Sequence, residues 1–133
     1  MSNFYLRVEG EPIPWSVSKI YRHGQKKNPR LIAWQRLISL QAKLKHMGDP
    51  WIGAVLVRFI TIRRTRPKSN KTKWPIVKPD LDNYIKAVWD ALQGIIYVND
   101  SQIVHYERGP RKVWATEIAP PGITLEIERM EEE

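Results

Sequence analysis

The sequence predicts an α+β fold: a single domain with a mixed or mostly antiparallel sheet covered by two main helices. Three observations predict it. Apolar residues alternate with polar ones at Phe4, Leu6 and Val8, at Val55, Val57 and Phe59, and at Ile123, Leu125 and Ile127, as in half-buried strands. Two other stretches, from Leu31 to Met47 and from Leu81 to Leu92, repeat apolar residues at helical spacing. The resulting order is strand, helix, strand, helix, then several strands, an α+β order. A chain of 133 residues fits one core.

Taken in order, the first strand ends at Glu9-Gly10, and Glu11-Pro-Ile-Pro-Trp15 is a proline-broken connection. Ser16 to Arg30 carries Lys19, Arg22, Lys26, Lys27 and Arg30 with Gly24 and Pro29, and reads as a mobile basic loop. The helix from Leu31 to Met47 places Leu37, Leu40, Leu44 and Met47 on one face, joined by Trp34 and Gln41, and ends at Gly48-Asp-Pro. Ala54 to Ile62 is a strand with Val55, Val57 and Phe59 on one face and Leu56, Arg58 and Ile60 on the other. Arg63 to Pro75 holds six basic residues and no acid, with Ser, Asn, Thr and two prolines, and reads as a loop. Pro79 disfavours helix at Lys78, so the second helix begins within Asp80 to Asn83. Leu81, Ile85, Val88 and Leu92 make its stripe, and Gly94 ends it. Ile95 to Val98 is a short buried strand or a tight return, and Asn99-Asp100 a turn. Ile103–Glu107 and Val113–Thr116 are expected to pair through the Arg108-Gly-Pro-Arg turn, before a last strand from Ile123.

Composition excludes some classes. There are no cysteines, hence no disulfides and no thiolate zinc site, which fits a reducing cytoplasm. No apolar run approaches the length of a membrane span, and the first residues lack a signal-peptide pattern. The formal net charge is +8, and it is segregated. Residues 1–78 hold 17 Lys and Arg against 3 acids, and residues 79–133 hold 5 against 11. A basic part beside an acid cluster suits a polyanion held near a metal.

The chemistry concentrates after that basic run. Asp80, Asp82 and Asp100 are three carboxylates that a hard divalent cation would bring together, since Mg²⁺ takes oxygen ligands and crowded carboxylates otherwise repel. Lys86 follows Asp82 by one helical turn. On spacing alone, the same aspartates serve equally as helix cap and turn residues.

The residues in order resemble a known signature. Asp80-Leu-Asp-Asn, then Lys86, then Asp90-Ala-Leu, then Asn99-Asp-Ser-Gln-Ile is similar to that of the RusA family of Holliday junction resolvases. Pro14 to Gly24, with Tyr21-Arg22-His23, looks like the family's early proline-containing segment. The resemblance implies a metal-dependent endodeoxyribonuclease that resolves four-way DNA junctions, with Mg²⁺, or Mn²⁺, as the expected ion. Two symmetric cuts need two acid clusters and one chain carries one, so a homodimer is expected, and the lack of a long apolar run predicts no membrane attachment. The resemblance makes Asp80, Asp82 and Asp100 metal-binding and catalytic, and Lys86 a catalytic lysine. One departure is Asn99, where the family often has a second aspartate. Arg22, Lys26, Lys27, Arg63, Arg64, Arg66, Lys71, Lys73 and Lys78 are the candidate DNA contacts. The rival readings are a non-catalytic basic DNA-binding protein and a nuclease for another branched nucleic acid.

Overall fold

The computed structural model describes residues 2–21 and 24–131, and of residues 17–21 and 24–26 only the backbone. The elements in chain order are β1 (Asn3–Glu9), β2 (Val17–Tyr21), β3 (Gly24–Lys27), α1 (Pro29–Lys45), β4 (Val55–Arg64), α2 (Leu81–Leu92), β5 (Ile103–Tyr106), β6 (Arg111–Trp114) and β7 (Gly122–Arg129). The fold is α+β, with two helices on a five-stranded mixed sheet ordered β1-β7-β4-β5, β6 also lying on β4.

Alternation builds the sheet. Phe4, Leu6 and Val8 of β1 lie opposite Ile127, Leu125 and Ile123 of β7, all buried. Gly122 starts β7 with φ +155°, and a Cβ there would fall 2.1 Å from the Val8 carbonyl oxygen, so this close strand approach requires glycine. Strand β4 pairs antiparallel with β7, but a register shift between Val57 and Phe59 turns the chain over. The buried set is therefore Val55, Val57, Ile60 and Ile62, not the Val55–Phe59 face that simple alternation expects. Pairing with β6 and β7 carries β4 on to Arg64, so Arg63 and Arg64 belong to the sheet rather than to the basic loop. Arg58, which the sequence places beside buried groups or at a sheet edge, pairs with Glu107 and with the buried Glu128.

The expected hairpin of β5 and β6 is corrected. Both strands pair parallel to β4, β5 along Val55–Val57 and β6 along Thr61–Arg64, end to end on one edge. The intervening turn follows the same edge, with the Glu107 and Arg108 amides donating to the Val57 and Arg58 carbonyls. The expected basic loop from Ser16 to Arg30 instead contains the hairpin of β2 and β3, followed by the start of α1.

The first helix begins as its sequence directs: the Asn28 side chain caps it by accepting from the Arg30 amide, and Pro29 occupies the first turn. Its buried face is Leu31, Trp34, Gln35, Ile38 and Ala42. Leu40, Leu44 and Met47, expected on the packing face, are exposed. Both stripes have helical spacing, and Trp34 and Ile38 fill the space above the sheet. The second helix matches its expectation: Asp80 is the N-cap, Ile85, Val88 and Leu92 are buried, and Gly94 follows with φ +82°. Residues 95–98 form the tight return, with Ile96 and Tyr97 buried.

Candidate active site

Asp80 and Asp82 sit at the start of α2, both exposed, and the Asp80 side chain makes no capping hydrogen bond. None of Asp80, Asp82 and Asp100 joins an ion pair among the described residues. The local alternative, a carboxylate spent on capping its own helix, is thus absent at Asp80. Lys86 does not pair with Asp82 or Asp90. Its ammonium lies 4.1 Å from the centroid of the Trp15 ring, and the Trp15 amide donates to the Asn83 carbonyl at 2.9 Å. The proline-broken connection therefore fixes an aromatic face beside the first turn of α2.

The loop entering Asp80 is held from the sheet. The Lys112 ammonium donates to the Val77 and Pro79 carbonyls, both at 2.8 Å. Arg64 Nη1 donates to the Lys78 carbonyl at 2.9 Å. Burial lowers the Lys112 pKa, the Arg64 charge lowers it further, and Asp80 acts in the opposite sense. The Lys78–Pro79 peptide is cis.

Asp100 lies elsewhere. Its amide donates to the Gln93 side chain at 2.9 Å, which ties it to the far end of α2. From Leu81 to Gln93 the helical rise is about 18 Å. Among the described residues, no three His, Asp or Glu side chains are gathered closely enough to hold a metal ion. The three aspartates fit Mg²⁺ in kind, as exposed oxygen donors, but one chain does not bring them to one point. Asn99 is engaged locally: its side chain accepts from the Ser101 amide, and Gln102 accepts from the Asn99 amide in a capping box. Gln102 also donates to the Trp51 and Gly53 carbonyls, fixing the turn that carries Asp100.

The candidate DNA contacts divide. Lys71, Lys73 and Lys78 are exposed on the loop between β4 and α2. Arg66 is exposed but braces its own loop, donating to the Asn70 and Thr72 carbonyls and lying over Trp114. Arg64, beyond its bond to Lys78, also lies over Trp114. Arg63 is corrected: it is 6% exposed, with its guanidinium donating to the Pro120 carbonyl and the Thr124 hydroxyl. Its position on the register-shifted strand removes it from any surface groove. Lys27 bonds to Gln35 at 3.0 Å and to Asp90 at 2.6 Å. Gln35 bonds to Asp90 in turn, so Lys27 docks the β2–β3 hairpin on α2. Burial alone would raise the Asp90 pKa, and the bonds from Lys27 and Gln35 outweigh it and hold the carboxyl below its ordinary value. Arg22 and the Lys26 side chain lie outside the described residues, as do His23 and the Tyr21 side chain. Sequence reasoning missed Lys112 and Trp114, because a four-residue strand remote from the aspartates carries no motif.

No helix among the described residues is long and apolar enough to cross a membrane. A 30-residue stretch is 60% identical to the "Uncharacterized protein YqaN" of Bacillus subtilis (strain 168). The aligned stretch covers 23% of this chain and spans only 21% of that protein's length. A family model described as "Endodeoxyribonuclease RusA" matches residues 9–128, which takes in the aspartate pair, Lys86, the Asp100 turn and the strands that hold them. With so much of the chain matched, it belongs to the RusA endodeoxyribonuclease family.

Proposed function

We propose that this chain resolves four-way DNA junctions by paired, symmetric phosphodiester cuts in the cytoplasm, using Mg²⁺ or Mn²⁺. The observation that carries the reading is the exposed pair Asp80 and Asp82 at the start of α2, with Lys86 one turn on and a cation-rich loop leading in. When bound, the ion would activate water and offset charge on the phosphoryl group. Asp80, Asp82 and Asp100 would hold it and would orient the attacking water. Lys86 places positive charge beside the reacting phosphate. Lys71, Lys73 and Lys78 hold the junction arms through phosphates, which positions DNA without reading bases.

The position of Asp100 at the far end of α2 supports a shared site. In a two-fold homodimer, Asp80 and Asp82 of one protomer meet Asp100 of the other, and the reciprocal set forms the second site. Two cuts then follow from two identical centres. The test is cleavage of a labelled four-way junction beside linear duplex, with and without Mg²⁺. Symmetric cuts in the junction alone, only with the ion, are expected. Binding without cutting would identify a non-catalytic DNA-binding protein. Cutting of flaps in preference to junctions would identify a nuclease for another branched substrate.

A further inference from the structure

Three consecutive carbonyls immediately before Asp80, those of Val77, Lys78 and Pro79, are each held by a cation from the sheet. Lys112 takes the outer two and Arg64 the middle one. The two cations come from neighbouring strands, since β4 and β6 pair Ile62 with Lys112 and Arg64 with Trp114. Two residues beyond Lys112, the Trp114 indole donates to the Thr72 carbonyl at 2.8 Å, while Arg64 and Arg66 lie over its ring. Alternate residues of a strand share a face. One face of β6 thus ties the loop at Thr72, Val77 and Pro79, and Arg64 of β4 ties it at Lys78.

We infer that Lys112 is a positioning residue for the reaction: it fixes the backbone entering Asp80 and so sets where Asp80 and Asp82 stand. The inference rests on the reading of these aspartates as the catalytic pair. Lys112 is partly buried and both its bonds go to backbone, so it is not a free phosphate contact. Pro75 is buried, but beyond it Ile76 and Val77 are exposed, at 77% and 39%. Polar ties, rather than core packing, therefore hold residues 76–79 in one conformation. Displacing reacting groups by about 1 Å can cost roughly 10² in rate.

The experiment compares the full-length wild-type protein with Lys112→Met and Lys112→Arg. Cleavage is measured at saturating junction and Mg²⁺, junction affinity by gel shift in Ca²⁺, and amide exchange across residues 76–82 and, as control, along β7. Lys112→Met keeps the stem and removes the donors. It should lower kcat by roughly 10²-fold, leave junction affinity within about two-fold, and speed exchange at residues 76–82 only. Lys112→Arg, which can still donate to two carbonyls, should recover most of the rate and protection. An unchanged kcat in Lys112→Met overturns the inference. So does a fall in kcat with unchanged exchange, or a loss of affinity with a shallower salt dependence, which would mark a DNA contact. If Lys112→Met does not fold, Lys112→Arg decides: wild-type rate and protection support the clamp, and a rate as low as that of an aspartate variant overturns it. Failure of the underlying reading looks different: the wild-type protein leaves the junction uncut. Exchange alone then decides on the clamp, faster in Lys112→Met supporting it and equal overturning it.

Discussion

Asp82→Asn separates a structural carboxylate from a catalytic one. The substitution keeps size, and because Asp82 is exposed in the first turn of α2, losing its charge there costs the helix only about 0.3–1 kcal/mol. Folding should survive, junction binding should persist or tighten, and cleavage should fall by roughly 10²-fold or more at saturating Mg²⁺. Near-normal cutting in a time course would remove Asp82 from the chemistry. Lys86→Ala should also stop cleavage while leaving metal uptake by calorimetry largely intact. Arg63→Ala belongs to a different category. It strands the Pro120 carbonyl and the Thr124 hydroxyl beside β4, and should cost about 1–3 kcal/mol of stability in denaturant unfolding. Junction affinity of the folded fraction should match wild type, because the guanidinium is buried.

At the scale of elements, the readable ones had a local rule to obey. Helix α2 was legible because Asp80, the 3.6-residue stripe and Gly94 agree. The outer strands were legible because β1 and β7 keep strict alternation. In α1 two stripes compete and only the sheet below selects between them, so spacing alone chose Leu40, Leu44 and Met47. Register shift in β4 has no residue signature, and neither has the pairing with Gly122 and Val113 that puts Arg63 in the sheet rather than the loop. Gly24-Gln-Lys-Lys contains no apolar residue from which to read β3. The three aspartates stand out in the sequence, but their separation along α2 does not, since sequence order does not fix which end of a helix a returning turn meets. The basic loop, by contrast, retains exposed cations. Replacing Lys71 and Lys73 by alanine should weaken binding to any duplex and reduce the slope of log K against log salt by about 0.9 for each phosphate no longer neutralised. An unchanged slope would show that these side chains face away from DNA. The β2–β3 hairpin has its own test through Asp90. The folded pKa of Asp90 is depressed, so its contribution is present above the unfolded value and lost as pH falls through the folded one, below the ordinary 3.8. Wild type should exceed Asp90→Asn in stability near neutral pH by on the order of 1 kcal/mol, the exposed pair being screened. The gap should close in acid, as read from urea midpoints across pH.

For the whole molecule, the length of α2 poses a question of assembly, because it separates Asp100 from Asp80 and Asp82 by most of a helix. A two-fold dimer with shared sites makes a prediction that a dimer of self-contained sites does not. Asp82→Asn and Asp100→Asn homodimers should both be inactive. In a heterodimer of the two, one shared centre collects both substitutions and the other collects neither. Free mixing of equal amounts should therefore restore about a quarter of the wild-type number of intact centres. Each restored dimer should nick one strand of the junction without completing resolution. If every centre drew on one chain alone, each would carry one substitution and mixing would restore nothing. The measurement is the ratio of nicked to resolved junction after the two variants have exchanged subunits, with light scattering to establish the dimer. Recovery of nicking without resolution supports the shared centre, and its absence in exchanged dimers rejects it.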